Sequence, residues 1–303
     1  MMKPLTLKQR KILWAYLFLS VSLLFYTIIR WYPTILAFNI SFRDWNVFEG
    51  AGPWVGLENY QAIWEDLFKP RSDVRAAFWN TIRYVVFGVP LQLVIALSVA
   101  MLLSQIRYLA GFFRTAFFIP YVTSAVAIAF VWRWLYQPQT GLINQMLSLI
   151  GVADQPFLTN PSQALESITA VAVWQSLGFG VIIFLAGIQQ IPDIYYEAAR
   201  IDGANRWQIF WRITLPLLNP VIVYLSVLQT IQFLRLFALV QNMSPQGTGG
   251  PLKSTTTVVL EVYKEGFSRL NMGYASALTV VLFLVILLIT IFQLRVLQRR
   301  VEY

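Results

Sequence analysis

A short polar stretch, Glu197-Ala198-Ala199-Arg200-Ile201-Asp202-Gly203-Ala204, decides how the whole chain is interpreted. It belongs to a polar loop, residues 190–219, that separates two long apolar segments. Pro192 and Asp193 favour a helix start, because proline tolerates the first helical turn and an acidic group suits the positive helix N-terminus. Gly203 can end that helix, since glycine enters the left-handed conformation without steric cost.

A second short helix is predicted directly after the first. Ile209, Phe210 and Ile213 recur at helical spacing and give it an apolar stripe. Leu215-Pro216 is predicted to break this helix before the next apolar segment. No residue set in the loop suits catalysis. Two short charged helices held outside a bilayer are suited to contact with another protein.

The loop also resembles a known family. The matching runs are Ile191-Pro192, Tyr196-Glu197-Ala198-Ala199, Ile201-Asp202-Gly203-Ala204, Ile213-Thr214-Leu215-Pro216 and Pro220. They resemble the coupling loop of bacterial ABC-importer permeases, and most closely the carbohydrate type found in the maltose and glycerol-3-phosphate systems. The resemblance extends over nearly the whole chain, through Asn80-Thr81, Phe118-Ile119-Pro120, Thr255-Thr256-Thr257, Glu265-Gly266-Phe267 and the run from Asn271 to Ala277.

This resemblance implies the protein's partners and its location. Residues 190–219, called the coupling loop from here on, would dock into a cleft on a separate ATP-binding subunit. The family assembly implies two such subunits, a second homologous permease in a heterodimer, and an extracytoplasmic solute-binding protein, all at the bacterial inner membrane. The coupling residues carried over are Glu197, Ala198, Ala199, Asp202, Gly203, Leu215 and Pro216.

Composition points to lipid as the solvent. Of 303 residues, 57% are hydrophobic and 12% are charged, about half the charge of a soluble domain. The net charge of +9 is scattered and often falls at span ends, which favours lipid headgroups over nucleic acid as the partner. The chain has no cysteine and no histidine, so disulfides, Cys/His zinc sites and histidine acid–base catalysis are excluded.

Six apolar segments are long enough to cross a bilayer as helices. The predicted fold is therefore an all-α integral membrane protein with six transmembrane helices and a cytoplasmic coupling loop. A permease domain at 12–294 is predicted between two cytoplasmic tails, 1–11 and 295–303. The predicted spans are Ile12–Ala37, Phe78–Leu103, Thr115–Tyr136, Ser167–Ala186, Pro220–Val240 and Tyr274–Leu294.

The distribution of lysine and arginine predicts the orientation. With the N-terminus inside, the cytoplasmic segments hold more of these residues than the outer loops, including Lys8, Arg107 and Arg299. This places both termini and the coupling loop in the cytosol. A short interfacial helix is predicted at 141–150 in an outer loop.

No nucleotide site is predicted within this chain. A phosphate-binding loop needs glycine before its lysine and hydroxyl residue, but Leu252 precedes Lys253-Ser254-Thr255. The chain is therefore expected to be a transport subunit without a cofactor and without enzyme activity, powered by ATP hydrolysis in a partner.

Polar groups inside the spans are candidates for solute contact, because unpaired polar groups are costly in lipid. Gln229, Gln232 and Arg235 are spaced three apart in the fifth span, which puts them near one helix face. Amides can pair with sugar hydroxyls and aromatic rings can cover sugar C–H faces, so Tyr224 joins this set. The alternative is that these groups hydrogen-bond to neighbouring helices.

Further pathway candidates lie in the fourth and sixth spans. Gly178 and Gly180 are expected to allow close helix packing. Arg235 departs from the family pattern, and it either pairs with a solute or reaches the outer headgroups. The remaining candidates are Trp174 and Gln175, each divided between lining and packing, together with Tyr274, Ser276 and Thr279, which the resemblance favours as lining.

Two other function classes stand beside the importer permease. An ion-coupled secondary carrier commonly uses carboxylates within the membrane, but Glu166 and Glu261 lie at or beyond the predicted span ends. A scaffold or receptor without transport is the third class. Mono- and oligosaccharides, polyols and glycerol phosphates all remain open as solutes.

Overall fold

The computed structural model describes residues 6–48, 50–106 and 108–297 and is predominantly helical. Within these residues, four helices are long and apolar enough to cross a membrane, or six if each of two sharply bent pairs is one span. The predicted six-span helical fold is confirmed. The described chain divides into two compact units, one formed by residues 6–63 with Lys264–Val281 and the other by Trp64–Tyr263 with 282–297. Parts of the predicted tails, 1–5 and 298–303, and Arg107 lie outside the described residues.

The first span is longer than the predicted Ile12–Ala37. Helix α1, Leu7–Tyr26, continues through a π-helical turn, Thr27–Trp31, into α2, Tyr32–Ile40. The helix starts within the predicted tail because Thr6 and Gln9 cap each other's backbone N–H groups. No residue of α1 is buried, so its apolar side chains are available to lipid or to another subunit.

A small hairpin follows the first span, and sequence analysis did not predict it. Strands β1, Arg43–Asn46, and β2, Gly50–Trp54, pair antiparallel. In the same unit a π-helical turn, Lys264–Ser268, precedes the first part of α15, a helix that runs from Met272 to Leu297. A Cβ on Gly273 would lie 2.2 Å from the carbonyl oxygen of Arg43, so the start of α15 needs glycine to approach the hairpin.

Three long helices build the core of the second unit: α4 (Asp73–Ser104), α8 (Ala164–Gln189) and α12 (Asn219–Leu234). Within its most apolar window α8 is 61% buried, against 28% for α4, so α8 is the central helix. A Cβ on Gly178 would lie 2.0 Å from the carbonyl oxygen of Phe117, and one on Gly180 would lie 2.5 Å from Gln92 Nε2. The predicted packing role of both glycines is confirmed.

Two spans are bent. Helices α5, Ala110–Val122, and α6, Ala125–Leu135, meet at 97°. The segment Arg206–Leu217 meets α12 at 66°. It contains α10 (Arg206–Ile209), a π-helical turn (Phe210–Thr214) and α11 (Leu215–Leu217).

The structure corrects two predicted boundaries, one at the second bend and one at the end of α12. The break lies at Leu218 rather than at Leu215-Pro216, because Pro216 falls in the first turn of α11 and Pro220 then supplies no N–H to continue the ladder. The fifth span also ends at Leu234 rather than Val240. There the Leu236 carbonyl accepts a bond of 2.8 Å from the Thr257 hydroxyl, so it is turned away from a continuing helix.

Shorter elements complete the unit, and several are tied together by the predicted family motifs. Asn80 Nδ2 donates to the carbonyls of Lys253 (2.8 Å) and Thr256 (3.1 Å), and Thr81 Oγ1 accepts from Val258 N (3.0 Å). Those motif residues therefore hold α4 to α14 (Val258–Tyr263). The remaining elements are α3 (Glu58–Phe68), α7 (Leu142–Leu149), α9 (Asp193–Ile201), α13 (Ala238–Met243), α14 (Val258–Tyr263) and three 3₁₀ turns (Phe157–Thr159, Pro245–Gly247, Pro251–Lys253).

Candidate functional site

The coupling loop consists of short helices, as its sequence predicts. Pro192 caps α9, and Asp193 lies in its first turn. Gly203 has φ +77°, and a Cβ there would meet nothing within 4 Å. Glycine is therefore required by the backbone conformation and not by space. The chain closes the turn with a bond of 2.9 Å from Ala204 N to the Ala199 carbonyl.

A capping box starts the second helix of the loop, and sequence analysis did not predict it. Asn205 Oδ1 accepts from Gln208 N at 2.9 Å, and Gln208 Oε1 accepts from Asn205 N at 2.8 Å. This reciprocal pair starts α10. An Asn followed three residues later by Gln is a recognisable helix-start pattern, so the sequence carried enough information to predict it.

The outer surface of the coupling loop is apolar to an unusual degree. Ile201 is 87% exposed and Ile194 is 69% exposed. Trp207 is exposed too, and it packs edge-on against Trp211 with ring centroids 5.5 Å apart. Exposed apolar side chains grouped on a protein surface mark sites of protein or membrane interaction. Among the predicted coupling residues, Ala199 is buried, Leu215 is half-buried, and Glu197, Ala198, Asp202, Gly203 and Pro216 are exposed.

Behind that surface the loop is connected to the membrane helices. The Tyr196 hydroxyl lies 3.3 Å from Thr214 Oγ1, which is buried at the foot of the fifth span. A groove of about 1060 Å³ runs between α9, α10 and the end of α4, bordered there by Met101 and Ser104. The Tyr196–Thr214 contact thus joins α9 to the segment that leads into α12.

A second cavity lies within the membrane helices of the second unit. Its volume is about 180 Å³. Gln175 on α8 and Gln232 on α12 both line it, so the structure brings these two predicted residues together. Gln175 Nε2 also donates to the Thr123 carbonyl at 3.4 Å, at the break between α5 and α6. The other lining residues are Tyr121, Ala172, Ser176, Phe233, Leu236 and Leu239.

Tyr121 is a lining residue that sequence analysis missed. Its ring stacks on that of Phe179, with centroids 5.1 Å apart. It lies one position after Pro120 of the matched motif, so a search of that motif for aromatic side chains would have found it. The cavity therefore combines two amides with an aromatic ring.

Gln229, Gln232 and Arg235 do not share one surface. Gln229 is fully buried, and neither of its amide atoms has a hydrogen-bond partner among the described residues. Gln232 and Arg235 are exposed. Arg235 does not line the cavity and instead caps the C-terminal end of α12. On a helix with 3.6 residues per turn, positions six apart are about 120° apart. Gln229 and Arg235 are six apart, so they point to different faces of α12.

The other pathway candidates lie outside this cavity. Trp174 packs edge-on against Trp132, with ring centroids 5.2 Å apart, and Tyr224 is exposed on α12. In the other unit Tyr274 is buried, Ser276 is half-buried, and Thr279 is exposed and donates to the Ala275 carbonyl at 2.9 Å.

A carboxylate at one span end has a structural partner. Glu166 forms an ion pair of 2.6 Å with Arg83, which joins α8 to α4. Glu261, predicted at or beyond a span end, is fully buried in α14.

The fold and site define a class: a helical membrane subunit whose bundle is connected to an exposed loop of short helices. The chain belongs to the binding-protein-dependent transport system inner membrane component family, whose model matches residues 77–303. It is accordingly a permease subunit of an ABC importer located in the inner membrane, and ATP hydrolysis resides in separate subunits. The family resemblance inferred from the coupling loop is confirmed.

Individual relatives agree with this assignment. The chain is 36% identical over 283 residues to the probable ABC transporter permease protein YesP of Bacillus subtilis, covering 91% of this chain and 88% of that protein. It is 33% identical over 291 residues to the arabinooligosaccharides transport system permease protein AraP of the same organism, covering 92% and 87%. A crystal structure of a bacterial ABC transporter involved in alginate import matches with a TM-score of 0.80, 25% identity and coverage of 97% and 98%.

Proposed function

We propose that this chain forms half of the pathway for a carbohydrate or a related polyol or glycerol phosphate. It would pair with a second homologous permease in a heterodimer, with two cytoplasmic ATP-binding subunits and a solute-binding protein. The relatives support the solute class: AraP is named for arabinooligosaccharides, and UgpA of Escherichia coli O157:H7, 30% identical over 95% of both chains, for sn-glycerol-3-phosphate. A related alginate transporter has been crystallised with a solute-loaded periplasmic protein.

The observation that carries the proposal is the exposed apolar surface of the coupling loop. Ile194, Ile201 and Trp207 are costly to leave in water, and a cleft on an ATP-binding subunit would cover them. Movement of that subunit would then reach the fifth span through Tyr196 and Thr214. Alternating access follows if the two states bind the ATPase and the solute with different free energies.

The membrane cavity supports a solute with many hydroxyl groups. Gln175 and Gln232 can donate to and accept from hydroxyls, and the ring of Tyr121 can cover an apolar sugar face. At about 180 Å³ the cavity is smaller than ordinary ligand pockets, which hold roughly 300–1,000 Å³, so it must widen during transport. Trp174, Tyr224, Ser276 and Thr279 remain candidates for contact along the rest of the path. Gln229 and Tyr274 are weaker candidates because they are buried, and Arg235 is a weaker one because it lies outside the cavity.

Crosslinking tests the docking role. Because the chain has no cysteine, a single Ile201→Cys variant in the assembled importer can be crosslinked at one defined position. We expect a covalent product with an ATP-binding subunit. Val152→Cys, on the connection after α7, is the control and should give none. Products only with lipid or with this chain itself would refute the docking role.

Cysteine labelling tests the proposed orientation, with both termini and the coupling loop in the cytosol. Lys69→Cys should react with a membrane-impermeant maleimide on intact spheroplasts, whereas Glu197→Cys should react only after permeabilisation. The reverse pattern would invert the topology.

A further inference from the structure

A second cleft lies at the end of α4 that is remote from the coupling loop. Its volume is about 540 Å³, and it lies between the last turn of α3 and the first turns of α4. The opposite end of α4, at Met101 and Ser104, borders the coupling-loop groove. The cleft therefore belongs to the membrane face opposite the coupling loop, and the transport mechanism described above does not use it.

Two arginines line this cleft, Arg71 and Arg75. Both are exposed, and neither forms an ion pair within the described residues. The acidic side chain between them in sequence, Asp73, is engaged by Lys253. The cleft therefore presents two guanidinium groups, which suit the oxygens of a phosphate better than any neutral ligand.

Below the arginines α4 presents an exposed apolar stripe. Trp79, Ile82 and Val86 follow Arg75 at helical spacing, and they are 62%, 46% and 58% exposed. Phe68 faces the same cleft from α3 and is also exposed. Tryptophan concentrates at the level of lipid headgroups. The sequence of cations, aromatic rings and aliphatic side chains down the helix matches that of headgroup, glycerol and acyl chain in a phospholipid.

We propose that this cleft binds one anionic phospholipid of the leaflet opposite the coupling loop. Arg71 and Arg75 hold its phosphate, Trp79 lies beside its glycerol, and Ile82 contacts its acyl chain. An anionic headgroup is favoured over a zwitterionic one because two cations and no carboxylate of the described residues line the cleft. The continuous apolar wall favours a lipid over free phosphate, which has no apolar part to bury there.

Native mass spectrometry of the full-length chain, purified with its co-purifying subunits and delipidated, tests the proposal. Titration with dioleoylphosphatidylglycerol or dioleoylphosphatidylcholine should show a preference for the anionic lipid. Arg71→Gln and Arg75→Gln should each weaken that preference about fivefold, the effect expected for one basic residue near a lipid surface. Lys69→Gln is the matched control: Lys69 is an exposed cation two residues from Arg71 that does not line the cleft. It should change the preference less than about twofold.

Arg75→Lys keeps the charge and should keep most of the preference, which separates loss of binding from misfolding. An unchanged preference in both Gln variants would overturn the proposal, and so would an equal loss in Lys69→Gln, which would indicate diffuse surface charge. Displacement of the anionic lipid by millimolar inorganic phosphate would assign the arginines to free phosphate. Loss of a co-purifying subunit in the Gln variants would identify a protein interface. Both results would count against the lipid.

Discussion

The coupling loop and the polar stretch of α12 are both short, and both were interpreted from residue spacing, yet the two predictions fared differently. In the loop the helix start at Pro192 and the turn at Gly203 lie where the sequence puts them. On α12, Gln229 is buried and Gln232 is exposed, although the two were assigned to one face. The loop depends on contacts between residues close in sequence, whereas the exposure of α12 is decided by helices far away in sequence.

The largest expected effect comes from the part of the bundle that depends on distant contacts. In Gly178→Val the new Cβ would lie 2.0 Å from the backbone oxygen of Phe117, and backbone cannot rotate away as a side chain can. We expect a loss of about 3 kcal/mol in stability, the upper end of ordinary overpacking. Thermal stability measured by fluorescence-detected size-exclusion chromatography would show it.

Gly111→Val is the control for that experiment. Gly111 is also helical, but a Cβ there meets nothing within 4 Å. Its melting temperature should stay close to that of the unmodified chain. Equal destabilisation in both variants would mean that valine itself, and not the contact with α5, is responsible.

The next effect tests the coupling loop, where a substitution at Gly203 strains the backbone without causing a steric clash. Gly203→Val places a β-branched residue at φ +77°, which costs about 1–2 kcal/mol and should displace Ala204 from Ala199. We expect uptake in reconstituted importer to fall about tenfold while the subunits stay assembled and basal ATP hydrolysis persists.

Gly151→Val provides a matched comparison for Gly203→Val. Gly151 has the same φ of +77° and equally open surroundings, but it lies in the connection after α7, away from the coupling loop. Gly151→Val introduces the same local strain as Gly203→Val. Because Gly151 is not part of the coupling loop, uptake should remain within about twofold. A tenfold loss in both variants would show that strain, and not coupling, limits transport.

These cases show what the sequence could determine. Span number and loop helices follow from apolar length, proline, glycine and capping residues, all of which act within one or two turns. The hairpin after the first span and the break after Leu234 depend on partners such as Gly273 and Thr257, which lie far along the chain. Tyr121 lines the membrane cavity two residues before the chain bends by 97° between α5 and α6. Spacing within a single helix contains none of that information.

A smaller effect separates the two glutamines of α12. Gln232→Met removes an amide from the membrane cavity and should lower uptake about fivefold with unchanged stability, because Gln232 is exposed. Gln229→Met replaces a buried amide that lacks partners among the described residues, and relief of that unsatisfied group should raise stability by about 1 kcal/mol. Uptake should then stay within about twofold.

Uptake assays and melting curves on the two methionine variants decide which face of α12 contacts the solute. The two variants make the same chemical change three residues apart. If Gln229→Met lowers uptake more than Gln232→Met does, the transport path uses the face of α12 that is buried in this structure. The assignment of the cavity would then have to be reversed.

The smallest effect is expected at Arg235. This residue tests whether spacing along α12 identifies residues that contact solute. Arg235 follows the last turn of α12, is exposed, and does not line the membrane cavity. A cation at a helix C-terminus contributes about 0.3–1 kcal/mol. Arg235→Ala should therefore lower stability slightly and change uptake by less than about twofold, and Arg235→Lys should restore the stability. A severalfold loss of uptake in Arg235→Ala at normal membrane abundance would instead place this charge in contact with solute. In that case spacing along α12 would have identified a pathway residue that the cavity in this conformation does not include.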